Sequence, residues 1–140
     1  MTTDPSDTLR VKHLEFLQNV IGRMGNRSFL VKGWLVTMTT ALLAVSVERG
    51  SWPVAASAMV PLVPFWCVDG FFLRQERMYR ELYDVVRRAE DVLEPLCMNA
   101  SPYRARVAWR RAAGSVTLVA FYGTVVIVDL AVVAMTARLA

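Results

Sequence analysis

Ionisable residues that interrupt apolar runs are the first places in this chain where chemistry could occur. Asp129 stands alone in a run that extends from 112–128 onward to Ala137, with no basic residue at comparable depth. A charge in hydrocarbon is costly, so such a carboxylate must face protein or water, and it is a functional candidate by default. Its helical neighbours Val125, Val126, Val132, Val133 and Ala134 offer no hydrogen bond. Partners must come from another helix, another subunit or water, and Thr39, Thr40 and Ser57 are the candidate donors. Lys32 and Asp69 interrupt two other apolar runs near matching ends, and are expected to form a structural ion pair.

A third set is basic. The segment from Tyr103 to Arg111 carries Arg104, Arg106, Arg110 and Arg111 beside Trp109, with no acid. This suits a short helix at a membrane surface, with rings at headgroup depth and guanidinium groups on anionic lipid. The rival is an anion or nucleotide site built from the same arginines, although no glycine-rich phosphate loop accompanies them.

The missing patterns narrow the function classes. There is no Gly-x-Ser-x-Gly, phosphate loop or His-Glu-x-x-His, so no catalytic residue is expected and an enzyme is disfavoured. The single histidine, His13, lies off the apolar stripe of its helix and is expected at a solvated surface. Cys67 and Cys97 lack metal-ligand spacing. No metal, cofactor or disulfide is expected.

The elements that must position these residues follow from the clustering of apolar residues. The chain has 140 residues, which suits one domain, and 55% are hydrophobic. Runs 33–47, 50–68 and 112–128 carry no charge. A membrane helix needs roughly 20 mostly apolar residues, and the first run reaches this if Lys32 snorkels to the headgroups. None of the runs alternates with period two, which argues against a barrel. The reading is an all-α polytopic membrane protein with spans at 29–47, 51–73 and 113–137, an amphipathic helix at 7–27 and a helical segment at 74–112.

Local signals refine this plan. Ser6 is the expected N-cap of the first helix, whose stripe is Leu14, Leu17, Ile21 and Met24, and Gly25 to Ser28 is expected to bend. Pro61 and Pro64 should give the second span a kink or wide turn near mid-bilayer. Met78, Leu82, Val85, Ala89 and Val92 form the stripe of its continuation, which Pro95 ends. Four i,i+4 ion pairs, Glu76–Arg80, Arg77–Glu81, Arg80–Asp84 and Asp84–Arg88, are expected on its polar face. Ser101 should cap a further helix with Pro102 at its first position.

Charge sets the orientation. Nine arginines lie between the second and third spans, whereas only Arg49 lies between the first two and only Arg138 follows the third. The positive-inside rule then puts the N-terminus and the 74–112 segment in the cytoplasm and the C-terminus outside. The acidic, polar opening residues do not resemble a signal peptide. The basic balance is a topology signal, and no specific nucleic acid is expected as a partner.

Three strings carry a resemblance: Val20-Ile-Gly-Arg-Met-Gly-Asn-Arg-Ser-Phe-Leu-Val-Lys-Gly-Trp, Pro64-Phe-Trp-Cys-Val-Asp-Gly-Phe-Phe-Leu-Arg-Gln-Glu-Arg and Phe121-Tyr-Gly. Together they resemble a family of small uncharacterised bacterial inner-membrane proteins, over nearly the whole chain. The plan also resembles the SLATT-type membrane effectors of nucleotide-signalling defence systems and the small octameric membrane proteins, from which it departs by a third span. The resemblance implies self-assembly and pore formation in a bilayer. The alternative is a membrane-anchored scaffold whose cytoplasmic helices recruit a protein or nucleotide partner.

Overall fold

The structure, a computed structural model, describes residues 5–88 and 96–139. It is all-α. Helix α1 (Pro5–Arg49) is followed by a short α2 (Trp52–Ser57), a long α3 (Leu62–Arg88), a 3-10 helix (Ser101–Ala105), a short α4 (Trp109–Ala113) and α5 (Val116–Leu139). Three stretches, in α1, in α2 with α3, and in α5, are long and apolar enough to cross a bilayer, and the chain is membrane-embedded on that ground.

Helix α1 is one unbroken element of 45 residues, about 68 Å at 1.5 Å per residue. A hydrocarbon core is about 30 Å thick, so the N-terminal half of α1 projects beyond the apolar zone. The expected bend at Gly25 to Ser28 is absent, and Ser6 lies within the helix rather than ahead of it as its cap. A glycine inside a helix costs only about 1 kcal/mol against alanine. That cost is outweighed because α3 runs alongside α1 and both halves pack against it. A straight partner holds a straight helix.

The end of α1 has a complete C-terminal cap. Gly50 adopts φ +59°. Its N–H bonds Val47 O at 3.3 Å and the Ser51 N–H reaches back to Ser46 O at 3.1 Å, the paired bonds of a Schellman motif. The Ser46 hydroxyl then donates to Ser51 O at 2.9 Å. Trp52 and Pro53 open α2 directly afterwards.

The kink or wide turn expected in the second span is a turn between α2 and α3. Pro61 and Pro64 have no N–H to give, so the α-helical ladder cannot run through. Val60 N–H to Ser57 O and Leu62 N–H to Met59 O, each 3.2 Å, tighten the chain into three-residue steps instead. Part of the backbone at this depth is therefore satisfied within the segment, as hydrocarbon surroundings favour.

Two apolar clusters hold the elements together. The first joins the outlying halves of α1 and α3 to the loop: Leu17, Met78, Leu82, Val86, Ala100 and Val107 are buried there. Val86 takes the inward place expected for Val85, which is half-buried. Ala89, Val92 and Pro95 lie outside the described residues. The second cluster, centred on Leu35, Leu62, Leu118 and Tyr122, joins all three spans. Gly70 is a close-approach point, because a Cβ there would sit 3.4 Å from Ala113 Cβ. That lets α4 lie against α3.

The polar face of α3 differs in detail from the expected ladder. Glu76 and Arg80 pair at 2.6 Å. Asp84 instead approaches Arg87, at 3.9 Å, and Arg77 donates to Arg111 O at 3.3 Å. Arg74 donates to Val107 O at 2.9 Å and to Arg104 O at 3.2 Å. Two arginines of α3 thus fasten the loop by its carbonyl groups, a use that charge spacing along one helix cannot reveal.

Candidate functional site: polar layers between the spans

Asp69, fully buried on α3, anchors the first layer. Lys32 Nζ on α1 lies 2.5 Å from its Oδ2 and also donates to Ser28 Oγ at 2.8 Å. The Ser28 hydroxyl donates to Asp69 Oδ1. From α5, the Tyr122 hydroxyl donates to Asp69 Oδ2 at 3.3 Å. One carboxylate therefore accepts from α1 and α5 at once, and the cluster ties the three spans together. Lys32 also lies 5.8 Å from the centre of the Phe121 ring.

Ser28 and Tyr122 were not among the expected site residues. Ser28 had a readable signal, since it lies one helical turn before Lys32. Tyr122 had none, because its place opposite Asp69 depends on how α5 docks.

Asp129 is fully buried, and neither carboxylate oxygen has a hydrogen-bond partner among the described residues. It lines a groove between α1 and α5 together with Thr39, Thr40 and Thr124. Of the expected donors, Thr39 and Thr40 reach the groove, whereas Ser57 is directed to Val54 O at 2.7 Å. Thr39 Oγ1 is itself buried without a partner. Asp129 thus sits at the floor of a groove whose rim, at Val36, Thr40, Thr124 and Val128, is exposed.

The spacing of these residues is regular. Buried or half-buried polar side chains recur at Lys32, Thr39 and Ser46 on α1 and at Tyr122, Asp129 and Thr136 on α5, always seven apart. A seven-residue interval keeps one face of a helix turned to its neighbour. Polar and small residues at such seams hold membrane helices together where hydrophobic attraction is missing.

The arginine segment takes a different form from the single surface helix expected. Ser101–Ala105 is a 3-10 helix and Trp109–Ala113 a separate turn of α-helix. Ala100, not Ser101, occupies the cap position, while the Ser101 N–H bonds Asn99 Oδ1 at 3.0 Å. Arg104, Arg106, Arg110 and Arg111 are all exposed and form no ion pair among the described residues. Arg106 lies 5.7 Å from the Tyr103 ring centre. Trp109 packs at a tilt on Trp66, 6.4 Å between ring centres. Trp66 Nε1 in turn donates to Ala113 O at 3.1 Å.

His13 departs from expectation. It is buried, with Nε2 2.9 Å from Cys97 O. The loop that follows residue 96 folds back over the α1–α3 pair and covers it, which the helical stripe alone could not show. Cys67 and Cys97 are both free. No group of three or more His, Cys, Asp or Glu side chains is gathered among the described residues.

Fold and site together define an all-α protein with three candidate membrane spans, stitched by polar layers. No family model matches the chain, and comparison with curated proteins and with solved structures gives no match.

Proposed function

We propose that this chain is the subunit of a homo-oligomeric assembly in the bacterial inner membrane, acting as a gated pore or a membrane-perturbing effector. The observation that carries assembly lies on α1, in the half that projects beyond the apolar zone. Leu9 and Phe16 are 43% and 53% exposed there, and half-buried Val20 continues the stripe. The stripe borders the face that buries His13 and Leu17. Acyl chains do not cover residues outside the hydrocarbon, so this apolar edge calls for protein. A second copy, held by the same spans at the same height, presents the same edge, and intervals of seven and four are those of a coiled-coil seam.

Three spans are too few to enclose a conduit, so conduction would follow from assembly. Asp129 lies at the floor of a groove with an exposed rim, and the pore reading does not rest on it. The resemblance to small octameric membrane proteins and to SLATT-type effectors supports self-assembly. The exposed Arg104, Arg106, Arg110 and Arg111 suit anionic headgroups at the inner leaflet, each worth about 1 kcal/mol near such a surface. The scaffold reading would put a different cytoplasmic protein on the same stripe of α1.

The detergent-solubilised particle is expected to have a mass several times that of one chain, and Phe16→Glu should reduce it toward the single chain. Reconstituted liposomes should show ion flux with the wild type and less with Phe16→Glu. A single-chain mass for the wild type would overturn the proposal. An oligomer without flux would remove the pore and leave the assembly.

Orientation has its own test. A reporter active only in the cytoplasm should work when fused after Arg88 and be silent after Ala140. Activity at Ala140 would mean two spans or the inverse topology.

A further inference from the structure

We propose that the cleft between the outlying half of α3 and the loop after residue 96 seats the phosphate group of one anionic glycerophospholipid. Arg74 is the first charged residue on α3 after Asp69, so it stands where the apolar run gives way to the polar part of the helix. The loop holds its guanidinium in place: Nε donates to Val107 O at 2.9 Å and Nη2 to Arg104 O at 3.2 Å. Nη1 is left without an acceptor among the described residues. Arg74 and Gln75 line the cleft from α3, and Asn99, Ser101 and Arg104 line it from the loop. The Arg104 side chain is exposed and forms no ion pair among the described residues.

The donor set defines the ligand. The cleft has a volume of about 260 Å³, close to the lower end of small-molecule sites at about 300 Å³. Its lining is mostly polar and contains no acid. The Asn99 side-chain oxygen already accepts from the Ser101 N–H at 3.0 Å, which leaves the amide nitrogen to donate. Residues 96–113 contain no carboxylate, so the loop supplies no competing anion of its own. Two guanidinium groups with neutral donors between them suit a phosphate, whose oxygens accept the paired N–H groups of arginine.

Position selects the source of the phosphate. Phe71 lines the same cleft one helical turn nearer the span and is 49% exposed. A soluble phosphate compound leaves that ring uncovered. A lipid sets its phosphate between Arg74 and Arg104 and the first carbons of its acyl chains against Phe71. The site rests on the headgroup reading given above for the exposed arginines and adds to it a fixed place and stoichiometry. It requires neither assembly nor conduction.

Native mass spectrometry of the purified full-length protein in detergent reads the lipids held per chain and the number of chains in one spectrum. Wild type should retain one phosphatidylglycerol per chain under activation that strips all others. Phosphatidylcholine, whose ammonium would meet the two guanidinium groups, should be lost. An equal concentration of inorganic phosphate should not displace the phosphatidylglycerol. Arg104→Gln should weaken retention about fivefold or more, the worth of one arginine at an anionic surface. Arg110→Gln, outside the cleft, should change it little. Equal losses in the two variants would overturn the site and leave only diffuse attraction to headgroups. Failure of the wild type to retain phosphatidylglycerol, or equal retention of the two lipids, would also overturn it. Displacement by inorganic phosphate would overturn the lipid and give the cleft to a soluble phosphate. One retained lipid on a single-chain particle would support the site while removing the assembly.

Discussion

Lys32→Ala is expected to destabilise the protein more than any other single side-chain truncation in the spans. Lys32 keeps 18% of its side chain accessible while Asp69 keeps none. Removing the lysine strands a fully buried carboxylate with only the Ser28 and Tyr122 hydroxyls for company. Breaking a buried pair from one side costs about 3–5 kcal/mol, and the partial exposure of Lys32 places this case toward the lower end. Asp69→Asn should cost less. The amide can still meet both hydroxyls, and the freed ammonium can extend to the headgroups. The double exchange Lys32→Asp with Asp69→Lys should restore part of the loss, because hydroxyl groups accept from an ammonium as readily as they donate to a carboxylate. Thermal unfolding in detergent reads all three variants. Additive damage in the double exchange would show that the pair contributes no coupling.

Leu82→Ala is expected to have the second large effect, confined to the half of the molecule outside the apolar zone. Leu82 is fully buried on α3 among Leu17 of α1 and Ala100 and Val107 of the loop. Truncating a buried leucine costs about 2–5 kcal/mol, more where the surroundings cannot collapse into the space. Leu17 and Leu82 itself belong to long helices whose apolar portions are anchored elsewhere, which limits such collapse. The loop carrying Ala100 and Val107 should therefore loosen while the spans stay inserted. Limited proteolysis should cut between residues 96 and 108 faster in the variant, and extraction from the membrane should be unchanged. Equal cleavage of the two proteins would mean that the loop is held by Arg74 and Arg77 through its carbonyls rather than by the apolar cluster.

The membrane class, the three apolar stretches, the proline break in the second span and the nearness of Lys32 and Asp69 were legible because each depends on local composition or on depth. Apolar length needs no knowledge of neighbours, and neither does a missing N–H at Pro61 and Pro64. Depth alone made Lys32 and Asp69 natural partners, since both lie near matching ends of their spans.

What only the tertiary structure decided is which faces meet. The straightness of α1 across Gly25 comes from α3 lying along it, and glycine propensity is too weak to oppose that packing. The burial of His13 comes from a loop more than eighty residues away in sequence, through its bond to Cys97 O. Tyr122 reaches Asp69, and Asp129 shares a cavity with Thr39, because α5 docks on α1 in one rotational setting. A helix such as α5, apolar on all sides, presents nearly equal faces to any neighbour. Its sequence determined that it is apolar enough to cross a bilayer, and the contacts with α1, α2 and α3 determined which of its side chains turn inward.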